Sequence, residues 1–195
     1  GRGNIVTGEL WEVGKSRATV ALLDQKEVPP PWPEIQLLQG LPKGDKSSWI
    51  VQKSVEFGVA HLIFFESSHT IAKKSLSQPA RWRRVAIEAM RQSGNAHLPI
   101  IGGPIALREA LRQVTGTKHL LFLDEAERHH RMRDVIGSEI PASICVAIGP
   151  EGGWSQEDRE ELQTKGFHPV ALGPFILRTE TAAIASLAAL RAWLP

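Results

Sequence analysis

From Ile35 onward, short apolar runs alternate with stretches whose apolar residues recur every three or four positions. The runs predict strands at 35–40, 61–65, 98–101, 119–123, 143–148 and 168–172. The stretches between them predict helices at 45–57, 80–93, 104–114, 125–135, 155–165 and 180–193. The second helix shows the reasoning. Trp82, Val85, Ala86, Ala89 and Met90 fall at i, i+3, i+4, i+7 and i+8, Arg81, Arg83, Arg84, Glu88 and Arg91 take the other face, and Gly94 supplies the stop. Strands alternating with helices define an α/β class built on a parallel sheet. Ahead of that region the pattern changes: residues 4–13 and 17–23 alternate as strands do, around a turn at Gly14-Lys15-Ser16. This predicts a β-hairpin, followed by a stiff linker at Pro29-Pro30-Pro31-Trp32-Pro33. A lone hairpin is marginal in water. Residues 1–28 are therefore expected to be the remnant of a β-domain, with 29–34 a linker and 35–195 the α/β domain.

Composition narrows the class without changing it. The chain has 195 residues, 42% hydrophobic and 23% charged, which suits a soluble protein with a substantial core. No stretch approaches the roughly 20 apolar residues of a membrane span. The single cysteine, Cys145, lies in an apolar run and cannot form an internal disulfide, so a cytoplasmic location is expected. A formal charge of +2 permits a nucleic-acid partner and leaves the decision to local clusters.

Two stretches carry candidate chemistry. In "IGPEGGWSQEDREEL" (148–162) an apolar strand stops at Gly149-Pro150, turns through Glu151, Gly152 and Gly153, and enters a helix at Ser155 with Asp158 as a capping-box partner. Ligands of parallel sheets bind beyond the carboxyl ends of the strands, where this loop sits. Glycines there allow a ligand close to the main chain, and a branched side chain at Gly152 is expected to take the ligand's space. The alternative is a glycine-rich turn and nothing more. A phosphate site is disfavoured, because neither nucleotide-binding glycine signature is present and Glu151 would repel phosphate oxygens. The second stretch, "VALGPFILRTETAAIASLAAL" (170–190), leads through an apolar loop into an almost wholly apolar helix that must be buried in the core or against another subunit. Arg178 and Glu180 are costly to bury there unless paired or used. His129-His130 have no partner at metal-ligand spacing and are placed on an exposed helix or loop, so no metal is expected.

Taken in order, these two stretches resemble the ribosomal small-subunit uridine-N3 methyltransferases of the SPOUT superfamily. "KGDKSSWIVQKSVEFGV" and "RWRRVAIEAMRQSGN" extend the resemblance over about residues 30–195. The resemblance implies a parallel-sheet methyltransferase domain ending in a trefoil knot near 145–195, a homodimer, and a bent S-adenosylmethionine in the knotted loops. The hairpin is similar to the last strands of the family's PUA-like β-barrel. Carried over by motif, Gly149, Pro150, Glu151, Gly152 and Gly153 form one wall of the cofactor pocket and Leu172, Gly173, Ile176, Leu177 and Arg178 another, with Leu123-Asp124 as a third. The implied substrate is N3 of a uridine in small-subunit ribosomal RNA. Arg178 is the candidate cation for the uracil anion, and Glu180 or Glu151 the candidate proton acceptor. Alternatively, Arg178 and Glu180 pair only to fix the knot. Trp154 packs over the pocket or in the core. Lys53, Lys73, Lys74 and Arg91 are candidate phosphate contacts; for Arg81, Arg83, Arg84 and Arg91 a solvated helix face serves equally well. The chain departs from the family where Phe175, Asn95 and Ser67 or Ser68 stand in place of arginines, which implies weak RNA binding. A non-catalytic knotted dimer that binds cofactor or RNA, or a methyltransferase of a different RNA, are the rival readings.

Overall fold

A computed structural model describes residues 1–71 and 78–194. Two strands, β1 (Asn4–Val13) and β2 (Ala18–Glu27), form the expected hairpin. The rest alternates β3 (Glu34–Gly40), α1 (Lys46–Glu56), β4 (His61–Glu66), α2 (Gln78–Ser93), β5 (Ile100–Ala106), α3 (Leu107–Gln113), β6 (His119–Leu123), α4 (Met132–Ile136), β7 (Ser143–Ile148), α5 (Gln156–Lys165), β8 (His168–Val170) and α6 (Thr179–Trp193). Strands β3 to β8 make one six-stranded sheet in the order β5-β4-β3-β7-β6-β8, with every pair parallel.

Both faces of this sheet are buried, which is why its strands read as continuous apolar runs. Successive residues feed opposite cores. Leu37, Leu62, Phe64, Leu121, Ile144 and Val146 pack in the cluster under α1, α2 and α6, while Leu38, Ile63, Phe65, Phe122, Cys145 and Ala147 pack under α3 and α5. In the first core the rings of Phe64 and Trp82 stack with centroids 4.2 Å apart, and Trp82 Nε1 donates to Ser47 Oγ at 3.0 Å. Helix α6 crosses to the sheet's centre, where its near end joins β3 and its far end joins α1. There Arg191 Nε donates to Phe57 O at 2.8 Å and Nη2 to Gly58 O at 3.0 Å, tying α6 to the end of α1.

The predicted capping box at the start of α5 is present: Asp158 N donates to Ser155 Oγ at 3.1 Å and Ser155 N to Asp158 Oδ2 at 3.0 Å. Two expectations need correction. Residues 104–106 extend β5 instead of opening a helix, because β4 offers ladder partners as far as Glu66, and Pro104, which has no N–H to give, sits at the one irregularity in that pairing. The helix expected at 125–135 shrinks to the five residues of α4. Its first half is held as turns by side chains: Asp124 Oδ1 accepts from Ala126 N, and Glu127 Oε1 accepts from the backbone N–H groups of Arg128, His129 and His130. Carboxylates that collect nearby N–H groups in this way compete directly with helix hydrogen bonds.

The hairpin is exposed along both strands, with Trp11, Leu22 and Val13 among its apolar side chains facing out. Main-chain bonds moor its base to the loop before β5: Gly3 N donates to Ala96 O at 3.1 Å and Leu98 N to Gly1 O at 3.2 Å.

Candidate functional site

A parallel sheet gathers the carboxyl ends of its strands along one edge. Three neighbouring ends, at Leu123 of β6, Ile148 of β7 and Val170 of β8, open into loops that enclose a cavity of about 420 Å³.

The first wall is the loop from Gly149 to Trp154. It is held from below by a buried polar chain: Gln39 Nε2 donates to Thr179 Oγ1 at 2.8 Å, and Thr179 Oγ1 donates to Gly149 O at 2.6 Å. The ends of β3 and β7 and the start of α6 are thereby joined, with Gln39 fully buried. Gly153 has φ +71°, which only glycine adopts freely, and Gly153 N donates to Pro150 O at 3.0 Å to close the turn. Gly152 corrects its expected role. A Cβ there would stand 2.8 Å from His69 O and 2.9 Å from His69 Cβ, so this glycine admits a neighbouring loop of the protein itself. Trp154 belongs to the core, stacked on Phe65 with centroids 5.7 Å apart and donating from Nε1 to Leu123 O at 2.7 Å, although its ring also borders the cavity.

The second wall is the loop between β8 and α6, with Leu172, Gly173, Ile176, Leu177 and Arg178 on the cavity. A Cβ on Gly173 would meet nothing within 4 Å, so this wall has open space in front of its main chain. The third wall, Leu123 to Glu125, is fixed by a bidentate pair: Arg159 Nε donates to Asp124 Oδ2 at 2.9 Å and Nη2 to Asp124 Oδ1 at 3.0 Å. That hydrogen-bonded carboxylate holds Arg159 above its ordinary pKa. Asp124 is buried, so the pair is largely shielded from water.

Every residue carried over as a cofactor contact borders this one cavity, including the catalytic candidates Glu151 and Arg178, whereas Glu180 does not. Glu151 lines it; its Oε1 accepts from Lys43 N at 2.9 Å and lies 3.4 Å from Lys46 Nζ. Glu180 is buried outside the lining, with Oε2 3.1 Å from the same Lys46 Nζ. Glu180 therefore pairs with Lys46, and the Arg178–Glu180 pair does not form: residues two apart at a helix start point in different directions. Arg178 is exposed at the mouth and, among the described residues, has no ion-pair partner. The adjacent Glu180 carboxylate raises the Lys46 pKa. Sequence reasoning missed Lys46, yet a signal existed. A lysine opening a helix with no acidic residue in its first turn opposes the helix dipole unless acidic partners come from elsewhere.

Among the described residues, the candidate RNA contacts do not gather at the cavity. Lys53 Nζ is engaged by both oxygens of Glu56 at 2.8 Å. Arg91 pairs with Glu88 in the last turn of α2, a helix that runs back from the cavity edge. Lys73 and Lys74 lie outside the described residues. Of the positions that depart from the family pattern, Asn95 donates from Nδ2 to Val55 O at 2.9 Å and accepts from His97 N, so it organises a turn. Ser68 Oγ donates to Asp158 Oδ2 at 3.4 Å.

His129 and His130 are exposed in the turn gathered by Glu127. The backbone N–H groups of His129 and His130 lower the Glu127 pKa from 4.5 to about 2. A depressed carboxyl stabilises the fold above its ordinary pKa and loses that contribution as pH falls toward the folded value. Glu127→Gln is thus expected to flatten the acid limb of stability between pH 4.5 and about 2, as read by thermal melts across that range. Among the described residues, no helix is long and apolar enough to cross a membrane and no group of three or more His, Cys, Asp or Glu could hold a metal ion.

A strand-end cavity on a parallel sheet is where open α/β proteins bind their ligands, and the model of the family described as "RNA methyltransferase domain" matches residues 30–191. A ribosomal RNA small subunit methyltransferase E of Synechocystis is 31% identical over the whole chain, which spans 64% of that relative's length. The crystal structure of a ribosomal RNA small subunit methyltransferase E from Neisseria gonorrhoeae bound to S-adenosyl methionine is 30% identical, with a TM-score of 0.83, covering 100% of this chain and 81% of that one. The chain belongs to the ribosomal RNA small subunit methyltransferase E family. The fold is shared with a TrmH/SpoU tRNA modifying enzyme of Aquifex aeolicus at 12% identity and TM-score 0.53, over 84% of this chain and 77% of that one.

Proposed function

We propose that this chain transfers a methyl group from S-adenosylmethionine to N3 of a uridine in small-subunit ribosomal RNA. The observation that carries the reading is the cavity itself, whose two walls, 149–154 and 171–179, expose main chain and small or apolar side chains, with Glu151 and Arg178 as their charged members. Such a lining suits a ligand with an adenine ring and a thioether-like chain, and the open space before Gly173 leaves room for it. When bound, S-adenosylmethionine supplies a methyl group on a sulfonium, which departs by in-line displacement. Gln39 and Thr179 fix the distance between the walls, so positioning is built into the resting fold. At the mouth, Arg178 has a guanidinium free to stabilise a uracil anion. Glu151, which borders the cavity, is the better-placed acceptor for the N3 proton. Glu180 acts through Lys46 to hold Glu151 in position.

The same reading covers the architecture. Strand β8 lies at the sheet's edge beyond β6, while α6 returns to the centre against α1, β3 and β7; this crossing supports a trefoil knot in the C-terminal segment. Ala185, Ala189 and Trp193, which is 47% exposed, line one side of α6 and support a homodimer through that face. The exposed hairpin, residues 1–28, fits part of a PUA-like barrel joined through 29–34 to the domain at 35–195. A cytoplasmic location follows from a ribosomal substrate.

Incubating the protein with undermethylated small subunits and labelled S-adenosylmethionine tests the reaction. The expected product is N3-methyluridine in the digested RNA. Cofactor binding without any transfer would favour a non-catalytic dimer, and transfer to another base or RNA would move the target. Light scattering at micromolar concentration is expected to give the dimer mass; Ala189→Glu, which puts a charge on the α6 face, should give the monomer.

A further inference from the structure

Phe175 is 83% exposed and Ile176 74% exposed in the loop between β8 and α6, beside the mouth of the cavity. A large aromatic side chain left in water on the rim of a site calls for a partner. Its neighbours narrow the class of that partner. Arg178, three residues on, is exposed with no ion-pair partner among the described residues, and Arg128 borders the same cavity. An aromatic face beside an available guanidinium, here that of Arg178, is the combination by which proteins hold single-stranded nucleic acid: the ring stacks a base of any sequence and the cation meets its phosphates, whereas the Arg128 guanidinium is engaged by the Glu125 and Glu127 carbonyls. Stacking also presents an unpaired base edge-on, with its ring nitrogens accessible.

We infer that Phe175 is a substrate-binding residue whose ring stacks on an unpaired RNA base at the cavity mouth, so that the target is taken from a single-stranded or extruded position. This rests on the RNA methyltransferase reading and adds the contact that holds the base. A second copy of the chain is the competing occupant, because Phe175 and Leu177 also border the groove beside α6.

The test measures the affinity of a short uridine-containing single-stranded RNA for the parent and for Phe175→Ala, Phe175→Leu and Phe175→Trp. Cofactor affinity, solution mass and methyl transfer are followed in parallel. The ring contact predicts about 10- to 100-fold weaker RNA binding for the alanine variant, the effect of losing one base stack. Leucine should bind as poorly as alanine, since it keeps apolar bulk without a π face, and tryptophan should restore parent affinity. Solution mass should stay constant throughout. Parent-like RNA affinity in the leucine variant, or a drop in mass for alanine, overturns the inference in favour of a protein contact. A parent that binds RNA through Phe175 yet transfers no methyl group sinks the reaction and leaves the stack standing. A parent that methylates while its alanine variant binds RNA equally well does the reverse.

Discussion

Gly173→Val is expected to weaken S-adenosylmethionine binding by about 100-fold, the scale of extra methyl groups forced into a fitted pocket. Thermal stability should stay within about 0.5 kcal/mol of the parent, as for other substitutions that meet no neighbour. The two halves of this expectation have one cause: Gly173 borders the cavity, and a Cβ there would meet nothing within 4 Å, so added bulk crowds the wall without displacing a neighbour. Gly152→Val supplies the contrast. Its side chain would collide with His69 O and Cβ, so it should lower stability as well as affinity. Calorimetric titration with cofactor alongside melting curves separates the two. Unchanged affinity in a well-folded Gly173→Val protein would place the cofactor elsewhere.

Asp124→Ala is expected to cost about 3 kcal/mol of stability, because it removes one member of a buried bidentate pair and leaves Arg159 with only Glu125 and the Trp154 carbonyl. For a chain of this length that corresponds to a melting temperature lower by roughly 6–12 °C. Cofactor affinity should fall with it, since the pair fixes the third wall. Asp124→Asn, which keeps the shape and one acceptor oxygen, should lie between parent and alanine. A loss below about 0.5 kcal/mol for alanine would mean that Glu125 and the Trp154 carbonyl suffice to hold Arg159 in place.

The sheet was legible because its central strands are buried on both faces. Continuous apolar runs such as 144–148 have one interpretation in an alternating chain, and a glycine directly after the runs at 98–101, 143–148 and 168–172 marks where those stop. Ser155 and Asp158 were legible for a different reason, since a capping box is local and its two members lie three residues apart. The stretch 125–135 failed because its apolar spacing suits a helix while Asp124 and Glu127 divert the backbone N–H groups, a competition that periodicity does not register. The cavity's lining could be read from its two loop motifs. Its supports could not: Gln39 meets Thr179 across 140 positions, Asp124 meets Arg159 across 35, and Gly152 is small on account of His69, 83 positions away. Each of those contacts is set by strand order, which the sequence pattern leaves open. Glu151 and Glu180 looked alike as isolated carboxylates near a ligand loop; only the placement of Lys46 between them distinguishes the one on the cavity from the one behind it.

The central pairing of the sheet also sets a timetable for synthesis. Glu34 of β3 has as its partner Ser143 of β7, roughly a hundred residues later in the chain. At about 5–20 residues per second of translation, β3 waits roughly 5–20 s with one edge lacking its neighbour. Strand β4 arrives early and covers the other edge. An open, apolar strand edge is a template for pairing with other chains. Codon changes that slow translation between residues 40 and 143, while leaving the protein unaltered, should therefore lower its soluble yield, and a ribosome-associated chaperone that shields β3 should restore it.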